Sequence, residues 1–214
     1  MATDTITLHE LRRAEAEEAE AVLVDAFADY AVMRYVLGDA PGYPERVRRL
    51  IGLFAAGRWL RGHPVLGARD GDGRLVAVAA LTPPGEHLTP PELEALAEQT
   101  WGELGDDARA RYAQLQAAWA RGDAVAAAVP RWHLNMLGVL RAEHGRGHGA
   151  RLLQTVQARA AADPVAHGVD LTTEHEPNLA FYARYGFAVV MEARVDPMLT
   201  TWRLVADHRA AADG

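Results

Sequence analysis

Leu137-Gly138-Val139-Leu140, followed by His144-Gly145-Arg146-Gly147-His148-Gly149 and the apolar-striped run from Ala150 to Ala161, decides how this chain is read. It predicts a strand over 132–140, a glycine-rich turn, then a helix over 150–161. Glycine lacks Cβ, so three of them at alternate positions let backbone N–H groups converge on an anion and approach it closely. The helix behind the turn adds its positive N-terminal end. A pyrophosphate is the natural guest, and an ordinary tight turn is the plainer alternative.

Outward from that run, the periodicities alternate between two and 3.6. Before it, Thr5 to Leu11 alternates as a strand, Ala14 to Ala28 reads as a helix, and Pro44 to Leu60 as a second helix with proline at its start. Val65 to Ala68 and Leu75 to Leu81 flank Asp70-Gly71-Asp72-Gly73, a hairpin signal. Residues 85–131 read as a helical insert: Thr89-Pro90-Pro91-Glu92 resembles a capping box, and Tyr112, Leu115 and Trp119 share a face of the helix that starts at Asp106. That aromatic stripe reads first as packing. After the run come a strand over 165–173, a short helix over 177–185 closed by Gly186, and a hairpin from Val189–Val195 and Met198–Val205. The final residues are expected to fray. Residues 1–214 are expected to form one domain.

Composition narrows the chemistry. Zero cysteines remove disulfides, thiolate nucleophiles and sulfur-ligated metals. His144 and His148 are four apart, but glycines between them argue for a turn, so no metal is expected. A formal charge of −7 argues against nucleic-acid partners and suits a cationic substrate. No run is long enough to span a membrane and no secretory signal is visible, so the expected address is cytoplasmic.

Two nucleotide-type readings compete for the turn. Gly145-x-Gly147-x-x-Ala150, with Asp170 about twenty residues on, also satisfies the dinucleotide fingerprint. That fold requires further alternating parallel strands and helices, whereas one short helix and a hairpin follow here. A Walker loop would need Gly-Lys-Ser/Thr, which is missing.

The chain resembles the GNAT superfamily of N-acetyltransferases. Its signature (Gln or Arg, two residues, Gly, one residue, Gly or Ala) is matched at Gly147 and Gly149, with His144 in the first place. A second signature appears as Asn178-x-x-Phe181-Tyr182-x-x-Tyr185-Gly186-Phe187. The wider layout, including Ala26-Phe27-Ala28-Asp29-Tyr30, Glu45-Arg46-Val47, Thr82-Pro83 and Thr201-Trp202, is similar to the puromycin N-acetyltransferases.

The resemblance implies an α/β (α+β) GNAT fold: a mixed, mostly antiparallel twisted sheet with splayed central parallel strands, flanked by helices. It implies acetyl-CoA as co-substrate, with pantetheine along Leu137, Gly138 and Val139. Backbone groups of the turn (His144, Gly145, Arg146, Gly147, His148, Gly149 and Ala150) would hold the pyrophosphate, and Asn178 would contact the cofactor. An N–H of the strand would face the oxygen on which charge develops. Tyr182 matches the family's tyrosine acid, whose ordinary pKa of about 10 suits donation to a leaving thiolate; Tyr185 is the alternative. His133 stands six residues before Val139, where related enzymes carry a catalytic Glu or His, and is the expected base. Glu174 is the reserve base. The implied partners are a small-molecule amine and, because dimers are common in this superfamily, a second copy of the chain. The rival classes are an acyl-CoA-binding sensor without catalysis and an NAD-type enzyme.

Overall fold

In the computed structural model, which describes residues 6–39, 41–122 and 129–208, the sheet has seven strands. They are β1 (Thr7–Glu10), β2 (Val65–Arg69), β3 (Leu75–Thr82), β4 (Arg131–Val139), β5 (Gly168–Thr173), β6 (Ala188–Asp196) and β7 (Leu199–Asp207), in the order β1-β2-β3-β4-β5-β7-β6. Only β4 and β5 run parallel; every other pairing is antiparallel. The neighbour of β5 on its far side is therefore the antiparallel β7, not another parallel strand, and the dinucleotide-fold reading fails there. Thr5 and the terminal residues 209–214 lie outside the described residues, as does part of the insert, 123–128.

Helices cover both faces. On one lie α1 (Ala16–Phe27), α2 (Ala31–Leu37) and α3 (Tyr43–Leu60), together with α4 (Pro91–Leu104) and α5 (Asp106–Ala120) of the insert. On the other lies α6 (His148–Ala162), and α7 (Pro177–Ala183) follows β5. Leu104, Ala108 and Leu115 of the insert share one apolar cluster with Leu23, Val36, Leu50 and Ile51. Leu152, Leu153 and Val156 of α6 pack with Val76, Leu134 and Leu171 in the second. No helix among the described residues is long and apolar enough to cross a membrane.

Three local expectations change. Ala31–Leu37 is a helix that the sequence reading leaves as loop: it is one of the shortest, and Val and Tyr are weak helix formers, but Val32, Met33, Val36 and Leu37 are all buried and packing stabilises it. The capping box at Thr89 does not form, since α4 starts after Pro90 without a side-chain cap and the Thr89 hydroxyl instead accepts from Arg61 at 2.9 Å. Helix α6 begins at His148, two residues earlier than expected, so Gly149 and Ala150 belong to its first turn.

The decisive irregularity is in β4. Ala80 pairs with Met136 and Leu81 with Leu134, so Asn135 is one residue too many, a β-bulge. A bulge reverses the facing of everything beyond it, and the packing shows this: Leu134 joins the α6 side while Met136 joins the α1–α3 side. Pairing of β4 with β5 ends at Leu134 and Leu171, and the two strands separate.

Candidate active site

Beyond the bulge, antiparallel alternation decides where the backbone of β4 points. Leu140 donates to Val76 at 2.9 Å, so alternate residues 140, 138 and 136 turn their N–H and C=O groups toward β3. Leu137 and Val139 therefore turn theirs into the gap beside β5. The Val139 carbonyl accepts from the His144 ring at 3.1 Å, which anchors the turn to the strand end. Gly138 is required by packing, because a Cβ there would sit 3.0 Å from the Ala26 side chain and 3.1 Å from that of Leu23 on α1.

At the end of the gap stands the glycine turn. Gly145 and Gly147 have φ of +81° and +82°, the left-handed region where a side chain is strained. A Cβ at either would meet nothing within 4 Å, so what these two glycines supply is conformation, not room. Gly149 differs: its Cβ would lie 3.3 Å from Val139, so it allows α6 to seat against β4. The first helical bond runs from Arg151 to Gly147, at 3.1 Å, so the N–H groups of His148, Gly149 and Ala150 have no intrahelical acceptor. No acidic residue occupies the first turn of α6, and no side chain caps it. These features fit a diphosphate.

Two side chains of the turn face elsewhere. The His148 ring is buried, with Nε2 3.6 Å from Glu143, and Arg146 Nε is 3.3 Å from the same carboxylate. At His148 only the backbone N–H is left open at the helix start. Arg141 donates its N–H to Asp25 at 2.8 Å and its guanidinium to Asp29 at 3.0 Å, tying the turn to α1.

The gap widens into a cleft of about 1680 Å³ that brings His133, Asn178, Tyr182 and Glu174 together with the turn. Tyr182 packs its ring among Phe181 and Phe187, and its hydroxyl makes no hydrogen bond among the described residues. Burial, and after it the nearby Glu174 carboxylate, pushes its pKa well above the ordinary value, so the phenol stays protonated. Asn178 donates its amide to the Thr173 hydroxyl at 3.1 Å. Tyr185 also lines the cleft.

His133 is held by a residue that the sequence reading noticed for another reason. Its Nδ1 lies 3.0 Å from the Asp170 carboxylate, which is 2% exposed and also accepts from Arg203. Burial opposes the Asp170 charge, but the hydrogen bond from His133 and the charges of His133 and Arg203 outweigh it, and its pKa is lowered. An ionised carboxylate only accepts, so Nδ1 carries the hydrogen, and in the neutral form of the ring Nε2 is an acceptor with no partner among the described residues. Sequence spacing could not find this pair. Asp170 stands directly beside His133 only because β4 and β5 are parallel neighbours in that register.

Glu174 sits at the end of β5 across the gap. Its carboxylate accepts from Thr201 at 2.6 Å, Trp119 at 2.9 Å and Tyr30 at 3.1 Å, and its pKa is raised by burial against those bonds. The Tyr30 hydroxyl also receives the Glu174 N–H at 2.8 Å. Trp119 and Tyr112 of the insert line the cleft, so the aromatic face does both jobs: it packs, and it forms the wall.

Among solved structures, the chain is similar to a Drosophila melanogaster polyamine N-acetyltransferase (18% identity, covering 95% of this chain and 100% of that one, TM-score 0.65). It is similar to a Corynebacterium glutamicum protein described as histone acetyltransferase HPA2 and related acetyltransferase (19%, 95% and 97%, TM-score 0.65). A mosquito arylalkylamine N-acetyltransferase-like protein matches at 16% identity, 95% and 100% coverage and TM-score 0.63. At such identities the likeness is one of fold. No curated protein matches in sequence. The family model described as "Acetyltransferase (GNAT) domain" matches residues 104–189, from the last residue of α4 into β6, and so includes β4, the turn, β5 and α7. Residues 104–189 thus match the GNAT acetyltransferase domain, and the chain as a whole shares the fold of the acetyltransferases it is similar to.

Proposed function

We propose that the protein transfers the acetyl group of acetyl-CoA directly to the primary amine of a small molecule, within a ternary complex. The observation that carries this reading is the separation of β4 from β5 after the Asn135 bulge, with Leu137 and Val139 backbone groups turned into the gap. An extended pantetheine chain adds there as a strand would, and the N–H groups of His148, Gly149 and Ala150 take the diphosphate. Bound acetyl-CoA supplies an activated thioester. A β4 N–H donates to the carbonyl oxygen as charge develops on it. Tyr182 donates to the departing sulfur. His133 Nε2 takes the proton that the amine must lose, and Asp170 orients the ring and stabilises the cation that forms. Glu174, engaged by three donors, shapes the acceptor end of the cleft.

We read the whole chain as one domain, with 85–131 as an insert that walls the acceptor side. The lack of cysteine is in keeping with a reducing compartment, and we place the reaction in the cytoplasm. Isothermal titration tests the reading: CoA and acetyl-CoA should bind saturably, and absence of both would sink it. Tyr182→Phe should bind acetyl-CoA normally and lose about 100-fold in kcat. An unchanged kcat would favour a binding module over an enzyme.

A further inference from the structure

The acceptor end of the cleft carries an electrostatic pattern that composition hides. Three carboxylates line the cleft: Asp29, Glu143 and Glu174. Asp29 is paired with Arg34 and Arg141, and Glu143 with Arg146. Glu174 is held only by uncharged donors. The same cleft is lined by the aromatic side chains of Phe54, Tyr112 and Trp119 and by Arg58 and Arg61 from the end of α3, and neither arginine pairs with a carboxylate among the described residues.

Arg58 is positioned rather than loose. It donates from Nη1 to the Thr82 hydroxyl and to Asn135 Oδ1 at 3.0 Å, and Thr82 itself donates to Asn135 at 2.8 Å. Thr82 lies directly opposite His133 in the β3–β4 pairing, so the two side chains share a face. Arg58 is thereby tied to the residue that pairs with His133, and both line the cleft. Burial and then the charge of Arg61 push the Arg58 pKa down to about 10, so Arg58 stays cationic at neutral pH, without a carboxylate partner among the described residues. The diphosphate cannot serve as its counter-ion. Asn135 is four residues before Val139, about 13 Å along the strand from the turn.

We infer that the acceptor is an amine that also carries a carboxylate, an α-amino acid or a close derivative, with the carboxylate on Arg58 backed by Arg61 and the amine between His133 and Glu174. This rests on the acetyltransferase reading and adds the substrate class to it. A guanidinium fork binds a planar carboxylate through two parallel bonds. The same cation disfavours a second positive charge nearby, which eases loss of the ammonium proton before attack. The global charge of −7 suggested a cationic acceptor, whereas Arg58 and Arg61 in the cleft call for an anionic group on it.

The test compares L-phenylalanine, L-methionine and L-leucine, each with its amide and its decarboxylated amine. Two readouts are used: CoA-thiol release, and binding to the CoA-saturated protein followed by tryptophan fluorescence. Loss of a charge-assisted bond predicts about a 10–100-fold preference in kcat/KM for the carboxylate form over the amide. Arg58→Gln should erase that preference and weaken binding of the carboxylate form alone, and Arg58→Lys should restore part of it. CoA affinity should stay within about twofold in both variants. The inference is overturned if amides or amines match the carboxylates, if Arg58→Gln weakens all acceptors equally, or if no carboxylate form binds a protein that does bind CoA. Failure of the wild type to bind CoA would instead bring down the acetyltransferase reading beneath it.

Discussion

Replacing Asp170 by Asn probes the proton-accepting arm of the site with little change in shape. The carboxylate is 2% exposed, 3.0 Å from His133 Nδ1 and bonded to Arg203, itself 8% exposed. Two costs follow. The first is to stability: removing one partner of a buried ion pair leaves the other uncompensated, typically about 3–5 kcal/mol. Arg203 keeps other interactions, which puts the cost near the lower end, about 3 kcal/mol, or roughly 6–12 °C in Tm for a chain of this size. The second is to catalysis. Asn can offer its amide nitrogen as a donor, favouring the tautomer in which Nε2 carries the hydrogen and cannot accept. It also withdraws the charge that stabilises the imidazolium. A charge-assisted hydrogen bond is worth about 1.5–3 kcal/mol, so kcat/KM should fall about 10–100-fold, with the KM for acetyl-CoA unchanged. The assay is CoA-thiol release against pH with the best acceptor, alongside thermal unfolding of the same preparation. A folded variant whose kcat/KM stays within twofold of wild type would refute the Asp170–His133 arrangement as a catalytic one.

Three further outcomes follow from the same geometry. Gly147→Ala places a side chain at φ of +82°, a strain of about 1–2 kcal/mol, and should weaken CoA binding about 5–30-fold in titration calorimetry while adding no steric clash; undiminished affinity would dissociate the turn from the diphosphate. His63 is buried beside His87, and burial, then the charge of Arg58, pushes its pKa down to about 4. Because that folded value is depressed, stability is present above the ordinary histidine pKa and lost as pH falls from about 6.5 to 4, by about 2–3 kcal/mol. His63→Gln should flatten that limb in urea titrations. Burial raises the Glu174 carboxyl, so its contribution falls as pH rises through that raised value; Glu174→Gln should be at least as stable as wild type at pH 8 and lose less than tenfold in kcat/KM, whereas a loss matching that of His133→Gln would make Glu174 the base.

How much of this was legible in the sequence can be judged residue by residue. The strand before the turn, the glycines at 145 and 147 and the helix behind them are local features, governed by period, backbone sterics and helix ends acting over a few residues. The same holds for Asn178, Tyr182 and Gly186, spaced along one short helix and its C-terminal turn. Those segments therefore carried the fold class, and with it the expectation of an anion site, from sequence alone. Other features depend on which strands become neighbours and in what register. Asp170 orients His133 across 37 positions, Tyr30 holds Glu174 across 144, and the extra residue Asn135 reverses the facing of β4. Arg58 and Arg61, ordinary cations at a helix end in sequence, come to line the cleft without a carboxylate partner among the described residues only where α3 ends over the bulge. Local chemistry determined a strand, a glycine turn and a helix whose first N–H groups are left open. Tertiary pairing decided which side chains line the cleft beside that turn, because such contacts are set by the sheet's order and have no period to be read.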